Sequence, residues 1–281
     1  MTGQQTINIK GTLMEVDKPL VMAILNITGD SFYDGGHYNN VNQALYRAED
    51  CIKKGAKILD VGGASSRPGA KEVSVDEELS RVLPVVQAIS SKLPNAVISI
   101  DTYRAQVARE AINSGAHIVN DISAGEDDVD MIAAVADLGV PYIAMHKQGK
   151  PQNMQDNPTY TNVVEDVVTY FRGRLEVYQK AGIKDVILDP GFGFGKSVEH
   201  NYSLLNQLGV FRSLFPNPLL VGVSRKSMIN RVLGTKPEEA LNGTTALHAI
   251  AIMNGAQILR VHDVEEAVQV VQLYEALSGT S

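Results

Sequence analysis

Arg260 closes the apolar run Gln257-Ile258-Leu259, and His262 follows two residues later. In an extended segment that spacing puts both side chains on one face. An arginine ending a buried run calls for an anionic or planar partner, so Arg260-x-His262 is a candidate anion site. Other cations fall at comparable places. Arg67 follows the run Lys57–Gly62, and Arg225-Lys226 follow Leu219–Val223. A single such residue is usually a solvated surface charge. Four basic groups and a histidine, all placed after apolar runs in a chain of net charge −7, fit a phosphate or pyrophosphate better.

Asp101, Asn120 and Asp189 end three further runs. A carboxylate accepts two parallel N–H bonds from a guanidine-like edge, so these residues suit a flat, donor-rich ring. Met145 and Phe194 could wall such a ring. Helix capping is the other common use of Asp and Asn at these places.

The glycine run Asp189-Pro190-Gly191-Phe192-Gly193-Phe194-Gly195-Lys196-Ser197 resembles two nucleotide motifs and satisfies neither. Pro190 stands where a P-loop needs its first glycine, and Lys196 where a dinucleotide fingerprint needs its third. Gly222-Val223-Ser224-Arg225 is followed by Lys226, so it is not a serine-hydrolase elbow. There is no HExxH, and the six histidines lack zinc-site spacing. ATPase, dehydrogenase, esterase and zinc hydrolase drop out as leading readings.

Something must hold these residues together. Eight short apolar runs read as strands buried on both faces: Val21–Ile27, Lys57–Gly62, Val97–Asp101, His117–Asp121, Tyr142–Met145, Val186–Asp189, Leu219–Val223 and Gln257–Val261. Three follow a repeated Gly-Ala step, at Gly55, Gly115 and Gly255, as expected where a helix ends in a glycine cap. Helical spacing predicts helices over Val41–Lys54, Val73–Lys92, Ala105–Asn113, Asp128–Leu138, Val163–Ala181, Tyr202–Phe211, Glu238–Asn254 and Val264–Leu277. Eight alternations in 281 residues predict an α/β fold, a (β/α)₈ TIM barrel, with a doubly wound open sheet as the alternative. The chain reads as one domain over 1–281. Its first 17 residues form an extension, with Thr6–Val16 a hairpin turning at Lys10-Gly11 and covering the barrel bottom. The long polar segments Asp30–Asn40, Gly63–Lys71 and Lys147–Tyr160 read as loops on the face where barrel enzymes do their chemistry.

Composition sets outer limits. The acidic balance argues against a nucleic-acid binder. Ala246–Met253, the most apolar stretch, is too short to cross a bilayer. Cys51 is alone, which excludes an internal disulfide and suits a reducing compartment. No basic-then-apolar signal is visible in Met1–Thr12, and the expectation is a soluble cytoplasmic protein.

With these residues in place, the chain resembles the dihydropteroate synthase family of folate biosynthesis, from about Val21 to Ala276. The motifs carrying the resemblance occur in order. They are Ile24-Leu25-Asn26-Ile27-Thr28-Gly29-Asp30-Ser31-Phe32, Asp60-Val61-Gly62-Gly63 running to Ser66-Arg67-Pro68-Gly69, Ser99-Ile100-Asp101-Thr102, Asn120-Asp121-Ile122, Met145-His146, the glycine run, Ser224-Arg225-Lys226-Ser227 and Arg260-Val261-His262-Asp263. The resemblance implies a transferase that joins 6-hydroxymethyl-7,8-dihydropterin pyrophosphate to 4-aminobenzoate, with Mg²⁺, as a homodimer inhibited by sulfonamides. It implies pterin contacts from Asp101, Asn120, Met145, Asp189, Phe194, Gly222, Lys226 and Arg260. Pyrophosphate contacts would come from Asn26, Arg67, Arg260 and His262, with Asn26 the metal ligand. The neighbours of 4-aminobenzoate would be Phe32, Ser66, Arg67, Pro68 and Ser224. Asp101, Lys226, Arg260, His262 and Arg67 would be catalytic. Gly29, Ala64, Ser66 and Lys147 depart from the family's usual proline, glutamate, threonine and methionine. The rival readings are a methyltetrahydrofolate-dependent methyltransferase and a catalytically silent pterin-binding paralogue. A methyl transfer has no pyrophosphate to hold, so Arg67 and Arg225-Lys226 favour the synthase.

Overall fold

The computed structural model describes residues 5–27, 36–64, 72–149, 154 and 158–279, and of 36–40 the backbone only. The chain enters as a hairpin of β1 (Thr6–Ile9) and β2 (Thr12–Glu15). It turns at Lys10 and Gly11, whose φ values are 47° and 91°. Two successive positive φ values give the primed turn whose twist matches that of the strands it joins. Asn8 Oδ1 accepts the Gly11 amide at 2.7 Å and holds the turn.

Eight strands follow: β3 (Leu20–Asn26), β4 (Ile58–Gly62), β5 (Val97–Asp101), β6 (Ile118–Asp121), β7 (Tyr142–Met145), β8 (Val186–Asp189), β9 (Leu220–Val221) and β10 (Ile258–Val261). All pair in parallel, in the order β8-β7-β6-β5-β4-β3-β10-β9. A parallel bridge between Leu188 and Leu219 joins the two ends of that order. The ring closes there, and the open sheet is excluded.

The helices are α1 (Gly36–Lys53), α2 (Val75–Lys92), α3 (Ala105–Asn113), α4 (Met131–Leu138), α5 (Val163–Ala181), α6 (Val198–Asn206), α7 (Leu208–Leu214), α8 (Ser227–Leu233), α9 (Leu241–Met253) and α10 (Val264–Ser278). Three departures from the sequence reading have local causes. The expected helix Tyr202–Phe211 is two helices, because the chain leaves helical geometry at Gln207. The sequence reading does not include α8, whose seven residues are too short for a clear apolar period. α1 begins inside the expected loop Asp30–Asn40, in a polar stretch that carries no apolar signal. None of the helices among the described residues is long and apolar enough to cross a membrane.

Side chains alternate along each strand, so the barrel has two apolar zones. Outward residues such as Val21, Ala23, Leu25, Leu59, Val61, Ile98, Ile100 and Val119 pack under the helices. Inward residues near the strand starts form a second cluster: Met22, Ile58, Ile118, Ile143, Ile187, Leu220 and Ile258. The hairpin's Ile7 and Ile9, and Val16 after it, complete that cluster and plug the bottom. Two residues further along, the inward positions turn polar: Asp60, Ser99, Asn120, Asp189 and Arg260. The runs look uniformly apolar in sequence because both faces are buried.

One backbone crossing fixes the upper rim. Gly191, at φ 72°, lies so close to β7's continuation that a Cβ there would meet the His146 carbonyl oxygen at 1.8 Å. Gly182 has a similar φ of 86°, but a Cβ there would meet nothing within 4 Å. Gly182→Ala is therefore expected to cost about 1 kcal/mol, for the left-handed backbone alone. Gly191→Ala must also displace backbone and is expected to cost more than about 3 kcal/mol. Denaturant melts of both variants check this, and equal losses would contradict it.

Candidate active site

The polar storey of the barrel is organised around Arg260. Its Nε donates to Asp60 Oδ2 at 2.6 Å and an Nη to Asp101 Oδ2 at 2.6 Å. Asn120 Nδ2 donates to the same Asp60 oxygen at 3.0 Å. Strand register explains the meeting. Asp60 sits opposite Ser99 across β4 and β5, Gly62 opposite Asp101, and Asp101 opposite Asn120 on β6. Gly62 has no side chain to interpose; a Cβ there would press on Asp101 Cβ at 3.3 Å. Asp60 is fully buried, while Asp101 and Arg260 keep some exposure at the barrel mouth. Burial raises the Asp101 carboxyl to about 7, against the opposing pull of Arg260. The guanidinium stays protonated, since two carboxylates outweigh its own desolvation.

A second acid–base pair stands across the mouth. Asp189 ends β8 opposite Met145 of β7 and accepts the Gly191 amide at 2.8 Å. Its carboxyl is raised by burial, with nearby Lys226 pulling the other way. Lys226, just before α8, donates to the Phe192 carbonyl and lies 4.8 Å from the centre of the Phe194 ring. Burial lowers its ammonium to about 8, with Asp189 opposing. Gly222 lies between the two cations; a Cβ there would be 3.8 Å from both Arg260 Cβ and Lys226 Nζ.

His262 follows β10, and its Nδ1 is 3.1 Å from Ser224 Oγ, which also accepts the His262 amide at 3.2 Å. Burial first, then Arg260, lower His262 to about 4, so the ring is neutral near pH 7. Asn26 ends β3 beside Gly62 and, two positions beyond inward-facing Ile24, points to the mouth.

The described residues thus bring Asn26, Asp101, Asn120, Met145, Asp189, Gly222, Ser224, Lys226, Arg260 and His262 to one end of the barrel. Phe194 joins them through Lys226. Phe32, Ser66, Arg67 and Pro68 lie outside the described residues. Arg225, grouped with the anion candidates from sequence, is committed elsewhere. Its Nε and Nη meet Asp263 at 2.8 and 2.6 Å, from a left-handed backbone of φ 55°. Sequence reasoning did not give Asp60 a site role, although counting in twos from inward-facing Ile58 would have placed it beside Asp101.

Comparison with known proteins decides the family. Residues 22–262 match the family model described as "Pterin binding enzyme". The chain belongs to the pterin-binding enzyme family. The dihydropteroate synthase of Escherichia coli (strain K12) is 48% identical over 269 residues, 95% of this chain and 94% of the relative. A crystal structure of the Yersinia pestis dihydropteroate synthase in a sulfonamide drug complex superposes with a TM-score of 0.92 at 43% identity, covering 98% of this chain and 100% of that one. The Xanthomonas albilineans dihydropteroate synthase in complex with 7,8-dihydropteroate gives 0.87 at 35% identity, covering 98% and 99%.

The Asp60–Arg260–Asp101 cluster has a measurable signature. Arg260→Met leaves two carboxylates without their cation, a loss of about 3 kcal/mol. Asp101, already raised by burial, then loses the pull of Arg260 that holds it down, so its folded pKa lies further above its unfolded one. The folded state therefore binds more protons than the unfolded state as pH falls, and stability returns. The variant's deficit is expected to be largest near pH 8 and to shrink by roughly half near pH 5. Urea melts at the two pH values check it; a deficit independent of pH would contradict the shared pairing.

Proposed function

We propose that this chain condenses 6-hydroxymethyl-7,8-dihydropterin pyrophosphate with 4-aminobenzoate, releasing 7,8-dihydropteroate and pyrophosphate. The observation that supports this most is that one barrel mouth gathers the acceptors Asp101, Asn120 and Asp189 beside the cations Arg260 and Lys226. Asp189, Asn120 and Asp101 suit the amino and ring N–H groups of a pterin. Met145 and Phe194 offer walls, and Gly222 leaves room between Lys226 and Arg260. Arg260, His262, Asn26 and, in this reading, Arg67 serve the pyrophosphate. Ser224 Oγ accepts the His262 amide, so its own proton can turn to Nδ1. That puts the ring proton of neutral His262 on Nε2, as a donor to an anion.

The chemistry needs no covalent nucleophile. The C–O bond to pyrophosphate lengthens and its electrons leave with the anion, while the electron-rich ring spreads the positive charge on the methylene. The amine lone pair then forms the C–N bond, and an N–H proton passes to pyrophosphate or solvent. Arg260 and His262 stabilise the leaving charge from fixed positions. Asp101 faces the cation, with Asp60 beneath it, and both are held by one arginine. Phe32, Ser66, Pro68 and Ser224 form the amine site in this reading. Sulfonamides, which resemble 4-aminobenzoate, would bind there.

Asn26 is the residue proposed to hold Mg²⁺. Among the described residues no three His, Cys, Asp or Glu side chains cluster as a metal cage. One protein oxygen with pyrophosphate and water suits Mg²⁺, which keeps several waters and takes few protein ligands. When bound, the ion supplies charge neutralisation for pyrophosphate. We also propose a homodimer through the exposed apolar side chains of α8 and α9: Val232, Leu233, Ile250 and Met253. A cytoplasmic setting suits the free thiol of Cys51.

Mixing both substrates with the pure protein should release pyrophosphate in equal amount to 7,8-dihydropteroate, and neither substrate alone should do so. Methyl transfer without pyrophosphate, or binding without turnover, would sink the reading. Lys226 must be protonated to serve as a full donor on the pterin side, so kcat/KM for the pterin pyrophosphate should fall as pH rises through about 8. Lys226→Met should lose that limb along with most of the activity, and a limb that survives belongs to another group. Calorimetry of pyrophosphate with and without Mg²⁺ should show a metal dependence that Asn26→Ala removes, while binding of bare pterin persists. An unchanged metal dependence in Asn26→Ala would refute the assignment.

A further inference from the structure

Lys196 closes the glycine run, and its side chain turns inward rather than to solvent, with 2% of the residue exposed. Its Nζ donates to the carbonyls of Gly191 at 2.9 Å, Phe194 at 3.0 Å and His146 at 3.3 Å, and lies 3.0 Å from His146 Nδ1. His146 is held neutral by burial and by Lys196 itself, and with its proton on Nε2 the ring's Nδ1 accepts from the ammonium. An ammonium carries three hydrogens, so these neighbours saturate it. It has no donor to spare for a ligand.

What the cage holds is the segment that faces the mouth. Between the Gly191 and Phe194 carbonyls stands the Phe192 carbonyl, which accepts from Lys226, and the Phe194 ring lies beneath the Lys226 ammonium. The same turn is tied from outside. Tyr160 OH donates to the Gly195 carbonyl at 2.8 Å, and the Gly193 amide donates to Asn201 Oδ1 at 2.6 Å. A Cβ on Gly195 would meet the Gln148 carbonyl oxygen at 2.2 Å, so this turn and the segment after β7 lie in backbone contact.

Three carbonyls of one turn, at Gly191, Phe192 and Phe194, thus serve two lysines on opposite sides. We infer that Lys196 is a positioning residue for the pterin side of the site: its buried ammonium sets the turn that presents Phe194 and the Phe192 carbonyl to Lys226. This rests on the pterin reading above. The proposed pyrophosphate contacts Asn26, Arg260 and His262 stand on β3, on β10 and just after β10, and none of the hydrogen bonds of Lys196 reaches them. Loss of Lys196 should therefore affect the two halves of the substrate unequally. A loss of overall stability would lower the active fraction and leave both affinities of the surviving protein alone.

The experiment measures the affinities of 6-hydroxymethylpterin and of inorganic pyrophosphate for wild type, Lys196→Met and Tyr160→Phe, with circular dichroism to confirm folding. Lys196→Met should weaken the pterin by about tenfold, the scale of stranding one or two buried carbonyls, with pyrophosphate changed less than about twofold. Tyr160→Phe removes a single tie to the same turn and should weaken the pterin by about threefold. In turnover, KM for the pterin pyrophosphate should rise while KM for 4-aminobenzoate holds. Pterin affinity within about twofold of wild type in both variants, or equal weakening of both ligands, would overturn the inference. Should Lys196→Met fail to fold, Tyr160→Phe decides by the same criterion. A wild type that does not bind 6-hydroxymethylpterin overturns the pterin reading and this inference together. A wild type that binds, beside unaffected variants, overturns this inference alone.

Discussion

One arginine between two carboxylates governs what the barrel mouth can do. Asp60 has no exposure, and a charge that deep is tolerated only when paired and hydrogen-bonded. Arg260 meets both needs because its planar fork reaches Asp60 and Asp101 from one position. Burial first, and then the neighbouring Asp60, make Asp101 hold its proton more tightly, against the pull of Arg260. Arg260 is thereby both fixed and still rich in donors, since the two bonds engage two of its five N–H groups. A guanidinium so placed can face an anion without swinging away.

The rest of the fold serves that position. The hairpin and the lower ring of Met22, Ile58, Ile118, Ile143, Ile187, Leu220 and Ile258 fill the barrel below the cluster with apolar side chains. Water is thus kept from reaching the ion pairs from below, and their low-dielectric setting is preserved. Closure of the ring at Leu188 and Leu219 brings β8, with Asp189, round towards β9 and β10. On the far rim the turn after β8 is held by Lys196, Lys226 and Asp189, so the two sides of the mouth are fixed by separate side chains.

Much of this is legible in the sequence because parallel strands buried on both faces leave apolar runs of a recognisable length. The eight runs and the polar residues at their ends follow from that, and the hairpin is marked by its turn at Lys10-Gly11. What stays hidden has physical causes. Asp60 is visible as a polar residue late in its run, but nothing in the sequence shows that Arg260 and Asn120 reach it from other strands. Asn120 and Asp121 are adjacent but serve opposite faces. Asn120 points inward to Asp60, whereas Asp121 accepts from Tyr142 OH and the Ser123 amide and shapes a turn. Arg225 and Lys226 part in the same way, one to Asp263 and one to the mouth. Lys196 reads in sequence as a failed nucleotide motif, because a lysine saturated by carbonyls leaves no pattern of charged partners there.

Asp60→Asn is the sharpest probe, since Asp60 lies under Arg260 and is assigned no contact with either substrate. If Arg260 works because Asp60 fixes it, kcat/KM for the pterin pyrophosphate should fall by at least about tenfold in the folded variant, equivalent to roughly 1.4 kcal/mol in the barrier. Activity within about twofold of wild type would show that Arg260 needs no such anchor, and the pairing at the barrel's centre would not be what organises the site.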